Sequence, residues 1–116
     1  MSEFVIYHNP RCGKSRSALA LLRERGVEPE IVEYLKTPPD AATLARLLAA
    51  LGQPAEQLLR KGEAVFKEKY KGESRDEAGW IEAMVADPIL IERPIVVRGN
   101  RAVVGRPPEA VAALLD

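Results

Sequence analysis

The chain has 116 residues, 47% of them hydrophobic, a size and apolar content that suit one globular domain able to bury a core without cross-links. Lys and Arg together number 17 and so do Asp and Glu, so no global field draws the protein to nucleic acid or an anionic membrane, and any anion it binds must be held locally. A single cysteine, Cys12, excludes an internal disulfide and points to a reducing compartment. Met1-Ser2-Glu3 has no signal-peptide character, and no later run of about 18 uncharged apolar residues follows, so the expectation is a soluble cytoplasmic protein with no membrane partner.

Phe4-Val5-Ile6-Tyr7, within residues 3–8, predicts a buried strand. Ser15, Ala18, Leu19 and Leu22 then recur at helical spacing up to about Arg25, with Gly26 as the stop. Residues 30–34 read as a second strand, which makes a βαβ unit with a parallel pair. Thr37-Pro38-Pro39-Asp40 opens the next helix, with Thr37 as candidate cap, Asp40 as its reciprocal partner and Leu44, Leu47, Leu48 and Leu51 on one face up to Gly52.

A shorter helix is expected from Pro54 to about Lys61, followed by a charged, irregular stretch from Lys67 to Arg75. Ser74-x-x-Glu77 reads as a capping box before Trp80, Ile81, Met84 and Val85, and Pro88 closes that helix. Ile95-Val96-Val97-Arg98 and Arg101-Ala102-Val103-Val104 flank Gly99-Asn100, a strong hairpin signal. Pro107-Pro108-Glu109 starts a last helix carrying Val111, Leu114 and Leu115. The order is β-α-β, a helical insert at about 38–88, then β-β-α, an α/β chain of one domain over 1–116.

Cys12 falls where the first strand hands over to a helix. Unpaired amides and the positive end of the helix dipole favour an anion there, so the thiol is expected to ionise readily. Composition by itself would place a lone cysteine in the core. The neighbours Pro10, Arg11, Gly13, Lys14 and Arg16 are polar company for a core residue and favour a reactive thiol. His8 reads either as a strand-end residue or as a tuner and proton partner of Cys12, and Ser15 either as a plain first-turn residue or as a hydroxyl donor to the thiolate. Arg11, Lys14 and Arg16 form a positive rim.

A βαβ half and a ββα half, with a cysteine after the first strand and Pro94 opening the third, resemble the thioredoxin-like arrangement. Residues 7–16 (Tyr7-His8-Asn9-Pro10-Arg11-Cys12-Gly13-Lys14-Ser15-Arg16), Leu58-Leu59-Arg60-Lys61, Arg93-Pro94-Ile95-Val96-Val97 and Gly105-Arg106-Pro107 together resemble the glutaredoxin-coupled arsenate reductase family. The likeness runs through essentially the whole chain, the helical insert included. It implies reduction of arsenate to arsenite: Cys12 is the nucleophile, its thioarsenate adduct is attacked by glutathione, and glutaredoxin resolves the mixed disulfide. It further implies that Arg60, Arg93 and Arg106 bind the oxyanion, a role suited to the planar guanidinium fork. A cis peptide before Pro94 is also implied. No bound cofactor is expected; glutathione and glutaredoxin serve as reductants.

Spacing adds one point. Three residues after Cys12, where many thioredoxin-like proteins carry a second thiol, stands Ser15, so an external thiol must complete any redox cycle. Other motifs fail. Gly13-Lys14-Ser15 ends like a nucleotide-binding loop, but His8 occupies the earlier glycine position. A phosphatase-type cysteine loop would need arginine where Ala18 stands, and one histidine with one cysteine gives no metal-ligand set. Two other readings stay open: a thiol-dependent reductase with a different substrate, and a binding protein like the transcription regulators that share this shape.

Overall fold

The structure is a computed structural model, and it describes residues 3–115; the sequence readings placed on Met1, Ser2 and Asp116 lie outside the described residues. The chain divides into two compact units, residues 1–37 with 93–116, and residues 38–92. The first is the α/β part of the thioredoxin-like fold and the second is the helical insert between its halves.

In the α/β unit, β1 (Phe4–His8) lies parallel to β2 (Glu30–Glu33) and antiparallel to β3 (Ile95–Arg98), which pairs antiparallel with β4 (Arg101–Val104). The sheet order is β2-β1-β3-β4. Gly99 takes the positive φ of 62° that the hairpin turn requires. Helix α1 (Gly13–Glu24) connects β1 to β2. It buries Ser15, Ala18, Leu19 and Leu22 and ends just before Gly26, at φ 81°. That face joins Phe4, Ile6, Val96, Val111 and Leu114 in one core cluster. β1 alternates buried and half-buried positions rather than lying buried throughout, and its period of two puts His8 on the same inward face as Phe4 and Ile6.

The helical unit contains α2 (Ala41–Leu51), α3 (Ala55–Leu58), α4 (Ala64–Lys69) and α5 (Glu77–Ala86), followed by a 3-10 turn at Pro88–Leu90. Both expected capping boxes are corrected. The α2 cap is Asp40, whose side chain accepts the Thr43 N–H at 2.8 Å, because Thr37 and Pro38 each precede a proline and are driven out of the helical region. The α5 cap is Asp76, which accepts the Gly79 N–H at 2.8 Å, while Glu77 reaches back to the Ala55 N–H at the start of α3.

Three further boundaries differ. The stretch expected to be irregular begins inside α4, and Phe66 of that helix and Tyr70 at its C-cap join Trp80 in an aromatic cluster with centroids 6.0 to 6.4 Å apart. Helix α3 stops at Leu58 because Leu59 forms an antiparallel bridge with Ile91, and the Arg60 N–H donates to Leu90 O at 2.7 Å. The last helix is a 3-10 helix, Pro108–Leu114, with Pro107 still extended.

Candidate active site

The end of β1 and the start of α1 build the site. Asn9 to Cys12 form a tight turn in which the Cys12 N–H donates to Asn9 O at 2.9 Å, and Pro10 occupies the turn position that its ring favours. The Asn9 side-chain oxygen accepts the Arg11 N–H at 3.0 Å. Cys12 is itself the N-cap of α1, half-exposed, with no acidic residue in the first helical turn to offset the dipole.

The electrostatics favour the thiolate. Burial pushes the Cys12 thiol up, but the Ser15 backbone N–H, the Arg93 guanidinium and the Lys14 backbone N–H outweigh it and leave the thiol below its ordinary value. Those two amides fall short of full hydrogen bonds to sulfur, so their effect is that of oriented dipoles. Arg106 makes a two-ended contact: its Nε donates to Arg93 O at 2.9 Å and its Nη2 stands 3.8 Å from the Cys12 Sγ. Arg93 and Arg106 each precede a cis proline, Pro94 and Pro107. The first of these was the expected one; nothing in the sequence marked the second.

His8, the last residue of β1, and Ser15, in the first turn of α1, are both buried. The Ser15 Oγ lies 2.6 Å from His8 Nδ1 and accepts the Asn9 N–H at 3.0 Å. With Nδ1 unprotonated, the serine hydroxyl donates to the ring; with Nδ1 protonated, the hydroxyl accepts and its proton is left for another acceptor. Burial holds the His8 pKa below its ordinary value, Glu33 opposes this, and Arg23 and Arg16 add to it. The imidazole is therefore neutral at physiological pH. Arg11, Lys14 and Arg16 are exposed, as a positive rim requires, and Arg16 Nη1 donates to Pro10 O at 2.9 Å.

The α/β unit thus brings together Cys12, His8, Ser15, Arg93 and Arg106. Arg60 belongs to the helical unit, where its Nε donates to Glu63 at 3.0 Å and its Nη1 to Glu92 at 2.6 Å. The sequence reading missed these two carboxylates, and it missed Asn9, whose one signal was an asparagine immediately before a proline in a strand-to-helix turn. Among the described residues, no group of three or more His, Cys, Asp or Glu is placed to hold a metal ion, and no helix is long and apolar enough to cross a membrane.

Comparison with known proteins agrees with the geometry. The chain is 54% identical, over 95% of its length and 94% of the relative's, to the uncharacterized protein YfgD of Escherichia coli strain K12. It is 43% identical to an arsenate reductase of Neisseria meningitidis serogroup A, over 99% of this chain and 100% of that one. The structure of an arsenate reductase from Vibrio cholerae superposes with a TM-score of 0.91 at 44% identity, covering 95% of each chain. The ArsC family model matches residues 7–114, which takes in the thiol, all three candidate oxyanion-binding arginines and both halves of the sheet: the chain belongs to the ArsC family.

Proposed function

We propose that this protein is an arsenate reductase that draws its electrons from glutathione by way of glutaredoxin. The observation that carries the reading is the Cys12 thiol at the N-terminus of α1, depressed in pKa and flanked by the guanidinium groups of Arg93 and Arg106. Relatives that bear the name arsenate reductase at 43% identity over the whole chain support the substrate.

The chemistry balances with one protein thiol. The Cys12 thiolate attacks arsenic and a hydroxide leaves, becoming water with the proton that the thiol gave up to solvent on ionising, to give a sulfur–arsenic(V) bond. A glutathione thiolate then forms a disulfide with the Cys12 sulfur, and the electron pair of the breaking sulfur–arsenic bond stays on arsenic, which departs as arsenite. Glutaredoxin exchanges its thiol for Cys12 and takes up the glutathione. Arg93 and Arg106 hold the oxyanion and its developing charge, and His8 with Ser15 keep the thiol loop poised. The same resemblance assigns Arg60 to the oxyanion. A cytoplasmic setting supplies the glutathione pool that the cycle needs.

The test is arsenite production by the purified protein with glutathione and glutaredoxin, set against thioredoxin with its reductase. Turnover is expected with the first pair alone. Cys12→Ser is expected to abolish it with the fold intact, and Arg60→Lys, Arg93→Lys and Arg106→Lys to raise KM more than they lower kcat. Normal turnover by Cys12→Ser, or turnover driven equally by thioredoxin, overturns the mechanism. A second reading has one observation in its favour: the 54% identical YfgD carries no named substrate. The same thiol chemistry on another substrate predicts that arsenate is turned over poorly beside a different oxyanion or a small disulfide in the same assay.

A further inference from the structure

Asn9 is buried, 6% exposed, and opens the loop that carries the thiol. Three of its groups are engaged, each with a different part of that loop. Its N–H donates to Ser15 Oγ at 3.0 Å, its backbone oxygen accepts the Cys12 N–H at 2.9 Å, and its side-chain oxygen accepts the Arg11 N–H at 3.0 Å. A buried asparagine is tolerated only when satisfied, and here the satisfaction fixes the residues on either side of the sulfur.

We infer that Asn9 is a positioning residue for Cys12: through these bonds it sets where the thiol stands relative to the Lys14 and Ser15 amides and to Arg93 and Arg106. The inference rests on the reading of Cys12 as nucleophile. The side-chain bond is the one that sequence alone controls. Without it the Arg11 N–H loses its acceptor inside the turn, and the segment between Pro10 and Cys12 is held only by main-chain bonds and by Arg16 on Pro10 O. The sulfur contacts have little tolerance, since the Arg106 Nη2 distance of 3.8 Å is already near the outer limit for a contact to sulfur. A shift of a few tenths of an ångström costs the thiolate part of its support without disturbing the core behind it.

Cys12 is the only thiol in the chain, so every thiol signal belongs to it. The test measures iodoacetamide alkylation as a function of pH, with thermal melting and arsenate turnover alongside, for Asn9→Ala and Asn9→Ser. Asn9→Ala is expected to melt cooperatively, to move the alkylation midpoint upward and to react roughly threefold or more slowly at neutral pH. Its turnover should return toward wild type at alkaline pH, where the thiol ionises unaided. Asn9→Ser, whose hydroxyl closes the same turn more weakly, should fall between the two. A purely structural asparagine lowers the melting temperature and leaves the alkylation profile on that of the wild type, and that outcome overturns the inference. Should Asn9→Ala fail to fold, Asn9→Ser against wild type decides: an unshifted profile refutes, a shift upward supports. Alkylation needs no arsenate, so a wild type that fails to reduce arsenate sinks the proposed function and leaves this measurement readable.

Discussion

At the scale of the residue, the site consists of two titratable groups whose surroundings move them in opposite senses with respect to charge. Both pKa values fall, but for Cys12 this favours the charged thiolate and for His8 the neutral ring. Because the folded His8 binds its proton less readily than an unfolded histidine, the unfolded chain takes up that proton first as pH drops past about 6.5. His8 therefore leaves stability intact above that pH and erodes it below, until the folded ring titrates as well. The melting temperature of the wild type should fall more steeply from pH 8 to pH 5 than that of His8→Gln, and parallel curves would refute the assignment. Cys12 was legible in the sequence because it is a lone cysteine in polar company at a strand-to-helix junction, whereas Arg93 and Arg106 were pointed to only by the resemblance of the blocks that hold them. Asn9 was legible only as a turn residue: its bonds to the Arg11 and Cys12 N–H groups follow turn spacing, but its bond to the Ser15 hydroxyl, six residues on, does not.

Elements were legible where the local chemistry of the chain decides them. Gly99-Asn100 between two β-branched runs predicted the hairpin, and the period of α1 predicted its buried face. Helix starts were less legible: before α2 the prolines at 38 and 39 forbid the helix that Thr37 would cap, and before α5 Asp76, not Ser74, accepts the first-turn Gly79 N–H. Asp40 and Asp76, each one residue ahead of the first helical turn, took the role assigned to Thr37 and Ser74. The end of α3 was illegible for another reason: the Leu59 to Ile91 bridge joins segments far apart in sequence. Within the helical unit the Tyr70 hydroxyl donates to Asp87 Oδ2 at 2.6 Å, and burial together with that carboxylate pushes the phenol up to about 12. Tyr70→Phe leaves Asp87 with Lys69 at 3.3 Å as its remaining side-chain partner among the described contacts. A loss of about 1–3 kcal/mol is expected by chemical denaturation, with thiol reactivity unchanged. A coincident change in the Cys12 alkylation rate would contradict that separation.

At the scale of the whole molecule, the α/β unit has a point of close approach at Gly105. A Cβ on Gly105 would stand 2.8 Å from Pro94 Cγ, 3.3 Å from Val111 Cγ1 and 3.4 Å from Ala18 Cβ, while the Gly105 N–H already donates to Pro94 O at 2.8 Å. The proline ring is tied to the main chain and cannot swing aside, so Gly105→Ala should cost about 1–3 kcal/mol. It should also slow Cys12 alkylation, because Arg93 and Arg106 adjoin the two residues forced apart. Unchanged stability would show that the ring yields. Strand direction separates this crowded end from an open one. β3 leaves Pro94 and runs roughly 14 Å to the Gly99-Asn100 turn, which is exposed and carries none of the site residues. The turn is consequently the natural handle of the protein: a fluorophore, an affinity tag or a tether to a solid support attached there would point the thiol outward, which makes an immobilised chain with its single cysteine facing the solution a practical format for sensing thiol-reactive oxyanions.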